Sequence, residues 1–310
     1  MAPLYLSVID SHVHFWHPDR VHVPWVKNTP FDKHKDATEY TEQIKDSNVK
    51  KMVYVETNVD PYHGLVEADW ITQYAKETPS TSKFGGIGGI VCFAPVEQGD
   101  AMRGYLTTLM RITGGKQGGL LKGVRCLLQD PTLDPKRVLQ SDFVLGIQWL
   151  ETFDLSFDIC IDCRGSPQQF PPIQELVAQC PRVQFILDHM GKPPCDSRPG
   201  DADFEFWKDQ MIQLSKNRNV CVKISGLVNE LSSHNDDEQK VAQQLKPFIQ
   251  VALKSFGIDR IMYGSDWPVC EIVGSTWQSW LQILCEIVKD WSEDDKERLF
   301  VTNATRIYKL

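Results

Sequence analysis

Short runs of apolar and β-branched residues recur along the chain, and each is followed by a polar stretch and a segment with helical periodicity. The runs are almost continuously apolar instead of alternating, which is typical of parallel strands that are covered on both faces. Eight strands are predicted in this way, at Leu6–His14, Lys51–Thr57, Gly86–Pro95, Leu121–Leu128, Phe157–Cys163, Val183–His189, Val220–Ser225 and Arg260–Asp266.

A helix is predicted after each strand, and one more helix follows the eighth. The helical segments are Ala37–Asn48, Gly64–Glu77, Met102–Thr113, Pro135–Leu150, Gln168–Gln179, Asp203–Lys216, Glu238–Phe256, Thr276–Lys289 and Glu293–Tyr308. This alternation predicts an α/β fold, a single (β/α)8 TIM barrel formed by residues 1–310, with the active site at the carboxyl ends of the strands. An open doubly wound sheet is the alternative, but the sequence lacks a glycine-rich phosphate-binding turn after the first strand.

The composition is that of an ordinary globular protein and narrows the choice of partners. The 310 residues include 33 Lys and Arg against 41 Asp and Glu, a formal net charge of −8, and 42% of them are hydrophobic. This composition excludes a disordered chain or a fibre, and an acidic balance without any basic block predicts no nucleic-acid partner. Because no apolar stretch reaches the roughly 18 residues of a membrane span, no membrane partner is expected.

Two features of the sequence bear on location. The amino-terminal residues lack the basic segment and the small-residue cleavage site of a secretory signal. The nine cysteines are scattered along the chain, which fits free thiols in a reducing compartment. A cytoplasmic location is therefore expected.

Polar side chains stand at the carboxyl ends of the predicted strands, where barrel enzymes place their reactive groups. His12 and His14 lie two residues apart in the first strand, so that they share a face with Asp10 and can both reach one metal ion. His189 ends the sixth strand, and Asp266 ends the eighth, where a carboxylate is a candidate metal ligand or general base. A capped turn and a helix cap are the alternatives for these last two.

Charged residues end three further strands. Glu56 lies at the end of the second, Arg125 in the fourth and Lys223 in the seventh. Burial of either cation without a counter-charge would be costly, so each is expected to pair with an acid or to face a cavity. The long segment Phe15–Thr38 after the first strand is expected to form a functional loop at the same rim.

The sequence resembles the amidohydrolase superfamily over most of its length, from about Ser7 to Tyr308. It is most similar to the lactonase branch, which includes L-fuconolactonase, L-rhamnono-γ-lactonase and 2-pyrone-4,6-dicarboxylate lactonase. The segments that carry the resemblance are, in chain order, Asp-Ser-His-Val-His-Phe-Trp, Gly-Val-Arg, Asp-His-Met-Gly-Lys-Pro, Val-Lys-Ile-Ser-Gly and Arg-Ile-Met-Tyr-Gly-Ser-Asp-Trp-Pro.

The resemblance implies a (β/α)8 barrel that hydrolyses a lactone to the open-chain acid. His12 and His14 match the metal-binding pair of the first strand, and His189 matches the histidine of the sixth. Asp266 matches the aspartate of the eighth strand, which activates water and binds the metal. The implied cofactor is one divalent ion, expected to be zinc, although some members of the branch work without metal.

The resemblance also implies where the substrate binds. Arg125 matches the arginine that holds the substrate in the lactonase branch, and Lys223, Trp16 and Glu56 are further candidates for substrate contacts. Because the seventh strand carries Lys223 instead of an arginine, a neutral sugar lactone is favoured over a dicarboxylate, for example L-rhamnono- or L-fuconolactone. The small-molecule lactone is the expected partner, and the oligomeric state is left open, with a homodimer as one option.

The chain departs from the wider superfamily at two strands. The fourth lacks a Lys or Glu that could bridge two metals, and the fifth ends in Asp162-Cys163-Arg164 without a histidine. These departures favour a single ion over a binuclear centre. Two alternatives to lactone hydrolysis remain: a zinc-dependent decarboxylase of a related branch, and a catalytically inactive barrel that acts as a binding protein.

Overall fold

Eight parallel strands form one sheet in the order of the chain, with helices between consecutive strands, in a computed structural model that describes residues 6–115, 119–232 and 237–310. The predicted (β/α)8 TIM barrel is therefore confirmed. The strands are β1 (Ser7–Val13), β2 (Asn48–Val55), β3 (Ile87–Phe93), β4 (Leu121–Arg125), β5 (Ser156–Ile159), β6 (Gln184–Leu187), β7 (Val220–Ile224) and β8 (Ile261–Tyr263).

Most helices follow the predicted segments within two residues at each end, but the first ends at Gln43 instead of Asn48, because β2 already begins at Asn48. They are α1 (Ala37–Gln43), α2 (Gly64–Glu77), α3 (Met102–Ile112), α4 (Ser141–Phe153), α5 (Phe170–Gln179), α6 (Ala202–Ser215), α7 (Glu238–Phe256), α8 (Trp277–Ile287), α9 (Glu293–Glu297) and α10 (Asn303–Tyr308). Two predicted helices are each divided: a 3-10 turn, Pro135–Leu139, precedes α4, and a π turn, Arg298–Thr302, joins α9 to α10. Within the described residues, no helix is both long and apolar enough to cross a membrane.

The barrel closes between β8 and β1 at the carboxyl rim. The backbone N–H of Asp266 donates to the carbonyl of His12 at 2.9 Å, and the N–H of His14 donates to the carbonyl of Trp267 at 2.8 Å. Val13 and Trp267 form a parallel bridge at the same place. The closing hydrogen bonds therefore bring the ends of the first and last strands, with their histidines and aspartate, side by side.

Asp10 stabilises this seam from the helical side of the barrel. Its carboxylate accepts hydrogen bonds from the Ser265 N–H at 2.8 Å, the Tyr40 hydroxyl at 2.9 Å and the Trp277 indole at 2.7 Å. The prediction that Asp10 shares a face with His12 is wrong. The pairing register of β1 on β2 shifts between Asp10 and Val13, and such a bulge reverses the alternation of side chains.

All eight strands end earlier than predicted, and after β6 and β8 the chain leaves the extended conformation at candidate site residues. Strand β6 ends at Leu187 and β8 at Tyr263, whereas the apolar runs predicted ends at His189 and Asp266. His189 and Asp266 have φ angles of 52° and 59°, in the left-handed region that non-glycine residues rarely occupy. Both side chains therefore come from short turns that follow the strands.

The interior of the barrel is apolar towards its amino-terminal end. Side chains from several strands, among them Ile9, Val53, Ile186 and Met262, form one buried cluster. Helix α10 packs against this cluster and its Tyr308 hydroxyl reaches a carboxylate inside the barrel. This packed layer supports the polar residues at the opposite rim.

Replacement of Asp10 by alanine tests the seam. Asp10→Ala removes the acceptor of the three donors at the seam and of the His12 N–H, which lies 3.4 Å from Oδ1, and we expect the free energy of unfolding to fall by about 3 kcal/mol or more. Tyr40→Phe is the matched control, because it removes only one of these bonds and should cost about 1 kcal/mol. Urea denaturation measures both, and an Asp10→Ala protein as stable as Tyr40→Phe would contradict this role.

Candidate active site

Four predicted site residues lie together at the carboxyl rim. The Nε2 atoms of His12 and His14 are 3.2 Å apart, and Oδ1 of Asp266 lies 3.7 Å from the first and 3.4 Å from the second. Nε2 of His189 is 4.0 Å from the same carboxylate oxygen. All four side chains are buried or nearly so.

The two histidines of β1 are held by groups behind them. His14 Nδ1 lies 2.8 Å from the carbonyl oxygen of Val55, which can only accept, so Nδ1 carries the proton and the Nε2 lone pair faces Asp266. His12 Nδ1 lies 3.3 Å from Oδ1 of Asp188. A carboxylate behind an imidazole is the usual outer partner of a metal-bound histidine, and here Nζ of Lys223 contacts the same nitrogen at 3.1 Å.

This donor set fits one divalent ion. Zinc bonds of about 2.0–2.2 Å in tetrahedral geometry place the ligand atoms roughly 3.3 Å apart. The separations among His12, His14 and Asp266, from 3.2 to 3.7 Å, are close to this value. His12 and His189 also form a second candidate group with Asp188, so the imidazole of His12 is common to both groups.

His189 enters the site from a left-handed turn. The φ angles of His189, Met190, Gly191 and Lys192 are all positive, between 52° and 72°. The imidazole is then fixed by a 2.9 Å contact between Nδ1 and the Ser225 hydroxyl. Four consecutive residues in this region are a strained arrangement, of the kind that proteins keep at functional sites.

Gly226, just after β7, is required by the site. Its φ angle is +66°, and a Cβ at this position would stand 2.8 Å from Nδ1 of His189 and 2.9 Å from Oδ2 of Asp266. Any side chain would therefore displace one of the two functional groups. The next turn contributes Asn229, whose amide donates to Oδ2 of Asp266 at 3.2 Å.

Two buried cations lie against the imidazoles, each with acidic partners. Nζ of Lys223 is 2.6 Å from Oδ2 of Asp158 and 3.0 Å from Oδ1 of Asp188. The guanidinium of Arg125 donates to Glu56 at 2.7 Å and to Asp188 at 3.2 Å. Both cations therefore have the counter-charges that burial requires.

These ion pairs determine which of the three charged residues predicted to bind substrate can reach it. Lys223 is fully buried and does not line the pocket described below; its Nζ contacts Nδ1 of His12 at 3.1 Å. Glu56 is also buried and is engaged by Arg125. Arg125 alone of these three lines the pocket, and the acids oriented around it keep its position fixed.

The titratable groups at the centre favour binding of a cation. Burial alone would raise the pKa of Asp266, but the neighbouring imidazoles of His189, His14 and His12 hold it well below its usual range. Burial lowers the pKa of His189 to about 4 and that of His12 well below its ordinary value. At neutral pH the centre thus holds an ionised Asp266 carboxylate beside the neutral imidazoles of His12 and His189, the states in which these groups bind metals.

Above this centre lies a pocket of about 290 Å³. Trp25 lines it, whereas Trp16, the predicted contact, is fully buried behind Trp25 with the ring centroids 5.4 Å apart. The residues that line the pocket are His14, Trp25, Thr57, Asn58, Arg125, Leu127, Gln129, Cys160, His189, Lys192, Asp266, Val269 and Ile272.

Lys192 is a pocket residue to which the sequence analysis gave no role. The left-handed turn that carries His189 also brings this lysine to the pocket wall. Across the described residues its ammonium group has neither a hydrogen bond nor an ion pair, unlike Arg125 and Lys223. The lysine stands in the segment Asp-His-Met-Gly-Lys-Pro, three residues after His189, which is the signal in the sequence that points to it.

Comparison with known proteins gives relatives of full length. L-rhamnono-gamma-lactonase of Scheffersomyces stipitis is 25% identical over 98% of this chain and 99% of its own. L-fucono-1,5-lactonase of Burkholderia ambifaria is 24% identical over 97% of this chain and 95% of its own.

Among solved structures, an amidohydrolase from Burkholderia multivorans with bound zinc matches with a TM-score of 0.79. It is 22% identical, and the match covers 98% of this chain and 100% of that one, which supports the barrel fold. The family model described as amidohydrolase matches residues 9–310. Because this match leaves out only residues 1–8, the chain belongs to the amidohydrolase family.

Proposed function

We propose that the protein hydrolyses the cyclic ester bond of a sugar-acid lactone to give the open-chain acid. The observation that carries the proposal is the ionised Asp266 carboxylate, which stands among three imidazoles at the base of a pocket. The two curated relatives named above are sugar lactonases and align with almost the whole chain. Their names support lactone hydrolysis, and the carboxylate and imidazoles at the base of the pocket are groups that can activate water.

Asp266 is the proposed general base. Its Oδ1 atom faces the imidazoles, and its Oδ2 atom is oriented by the Asn229 amide, so that the carboxylate has a fixed direction. It takes one proton from a water molecule, and the water oxygen forms a bond to the lactone carbonyl carbon. Collapse of the tetrahedral intermediate then breaks the bond between that carbon and the ring oxygen, and the ring oxygen receives the proton.

The low pKa of Asp266 makes it a weak base, which agrees with the metal-binding geometry beside it. When bound by His12, His14 and Asp266, a divalent ion, which we propose to be zinc, would acidify water and polarise a carbonyl. His189 and Arg125 line the pocket next to these ligands and can stabilise negative charge on the carbonyl oxygen through N–H donors.

Lys192 is the proposed contact for substrate oxygens. A cation that faces a cavity without a partner gains most from a ligand that accepts its hydrogen bonds. The ring oxygen, the hydroxyl groups of a sugar lactone and the carboxylate of its acid product all accept such bonds. Trp25, Val269 and Ile272 provide an apolar wall against which a sugar ring can lie.

The size of the pocket agrees with a single sugar ring. A cavity of about 290 Å³ lies just below the usual range for ligand pockets, roughly 300–1,000 Å³. Because Arg125 is already bound to Glu56 and Asp188, Lys192 is the pocket cation whose donors are free among the described residues. One cation with free donors can neutralise at most one carboxylate, so the arrangement favours a sugar lactone over a dicarboxylate.

A pH-indicator screen over a panel of aldonolactones tests the proposal. We expect acid release above the spontaneous rate on at least one five- or six-membered sugar lactone, and loss of that activity after treatment with a chelator. Activity that is insensitive to the chelator would show that hydrolysis needs no metal, while the proposal of a lactonase would stand. No turnover on any lactone, or release of CO₂ from hydroxybenzoates instead, would contradict the proposal.

Two substitutions should separate the chemical step from substrate binding. Asp266→Asn is expected to lower kcat by about 10³-fold, the scale of a lost general base, with the fold intact by circular dichroism. Lys192→Met is expected mainly to raise KM, by about tenfold, since it removes one charged hydrogen bond. Steady-state kinetics measures both, and Asp266→Asn with near-normal kcat would exclude Asp266 as the base.

A further inference from the structure

A second group of metal-binding side chains lies at the base of the long loop between β1 and α1. Trp16 and Lys35 form an antiparallel bridge there, with backbone hydrogen bonds of 2.8 and 2.9 Å in the two directions. In an antiparallel register the next opposed pair is His17 and His34. Their imidazoles stack with centroids 4.0 Å apart and an angle of 11° between the planes.

One half of this group is rigid. His17 Nε2 lies 3.0 Å from Oδ2 of Asp36, and its ring is flanked by Trp70 and Tyr74 of α2 at 5.1 and 5.5 Å. Asp36 is itself fixed, because its other oxygen caps the start of α1 by accepting from the Thr38 N–H at 2.9 Å. Both side chains are more than four-fifths buried, with 16% and 18% exposed.

The other half can move. His34 Nε2 lies 2.8 Å from Oδ1 of Asp19, and these side chains are 55% and 62% exposed. Parallel rings hold their nitrogen atoms side by side, so both cannot point at one ion until His34 rotates. Its exposure leaves room for that rotation, while Asp19 can follow on the same surface.

We infer that His17, His34 and Asp19, with Asp36 behind His17, form a binding site for a borderline divalent transition metal such as Zn²⁺, Ni²⁺ or Cu²⁺. The ligand atoms of His17, Asp19 and His34 already lie within 4.8 Å of one another, so a small rotation brings them into one coordination sphere. Two imidazoles and a carboxylate select these ions over Mg²⁺ and Ca²⁺, which prefer oxygen ligands.

An ion at this position would clamp the loop at its base. The segment between His17 and His34 carries Trp25, which lines the active-site pocket and donates its indole N–H to the Thr57 carbonyl at 2.8 Å. The loop site and the catalytic centre share no residue, so they can be loaded and emptied independently. The inference does not depend on which reaction the enzyme catalyses.

Metal stoichiometry tests the inference. Protein stripped with a chelator is dialysed against micromolar Zn²⁺ and analysed for bound metal, as wild type, His34→Gln and His22→Gln. His22→Gln is the matched control, because His22 is exposed on the same loop but outside the group. We expect His34→Gln to bind one zinc ion fewer than both wild type and His22→Gln, whatever the catalytic centre retains.

A second measurement reports on the loop itself. Trypsin can cleave after the exposed residues Arg20, Lys27 and Lys33, and Zn²⁺ should slow cleavage at these sites several-fold in wild type but not in His34→Gln. Equal zinc content in wild type and His34→Gln, or an equal loss in His22→Gln, would overturn the inference. Asp19→Asn keeps both imidazoles and is expected to weaken zinc binding without abolishing it.

Discussion

The closure of the barrel between β8 and β1 is the constraint on which the rest of the site depends. The backbone hydrogen bonds of His12, His14, Asp266 and Trp267 join the two ends of the sheet at the carboxyl rim. His12 and His14 are more than 250 positions away from Asp266 in sequence, yet their Nε2 atoms lie within 4 Å of its carboxylate oxygen. Asp10 satisfies polar groups on the outer side of this seam, so the fold and the site are stabilised by the same contacts.

A second constraint is electrostatic. The barrel holds Lys223 and Arg125 together with Asp158, Asp188 and Glu56 away from water, and each charge has an opposite partner. Such a network contributes little net stability, but it fixes the directions of its members. Because Asp188 contacts both cations and His12, the orientation of this candidate metal ligand is tied to the whole network.

The sequence analysis located the site because strand ends can be recognised in a barrel. The apolar runs predicted that His12, His14, His189 and Asp266 stand at one rim, and the structure brings them together. The face of β1 on which Asp10 lies was predicted wrongly. The prediction assumed strict alternation of side chains, and the sequence does not reveal the bulge in β1. The left-handed turn after β6 was equally hidden, since it contains three residues besides glycine that rarely adopt such angles.

Long-range partners were the other missing information. Lys223 and Lys192 both stand near the carboxyl end of a predicted strand. Only the structure shows that acids surround the first and that the second faces the pocket. In the same way Trp16 and Trp25 belong to one loop, and their packing order decides which of them can touch a substrate. These distinctions arise from tertiary contacts that no local pattern encodes.

The central claim is that the seam gathers His12, His14 and Asp266 into one site for a divalent ion. Crystals grown with Zn²⁺ and measured at the zinc absorption edge would test it most directly. We expect an anomalous peak bonded to Nε2 of both histidines and to the Asp266 carboxylate. A peak bonded to none of these three, or none at the rim with zinc in excess, would contradict it.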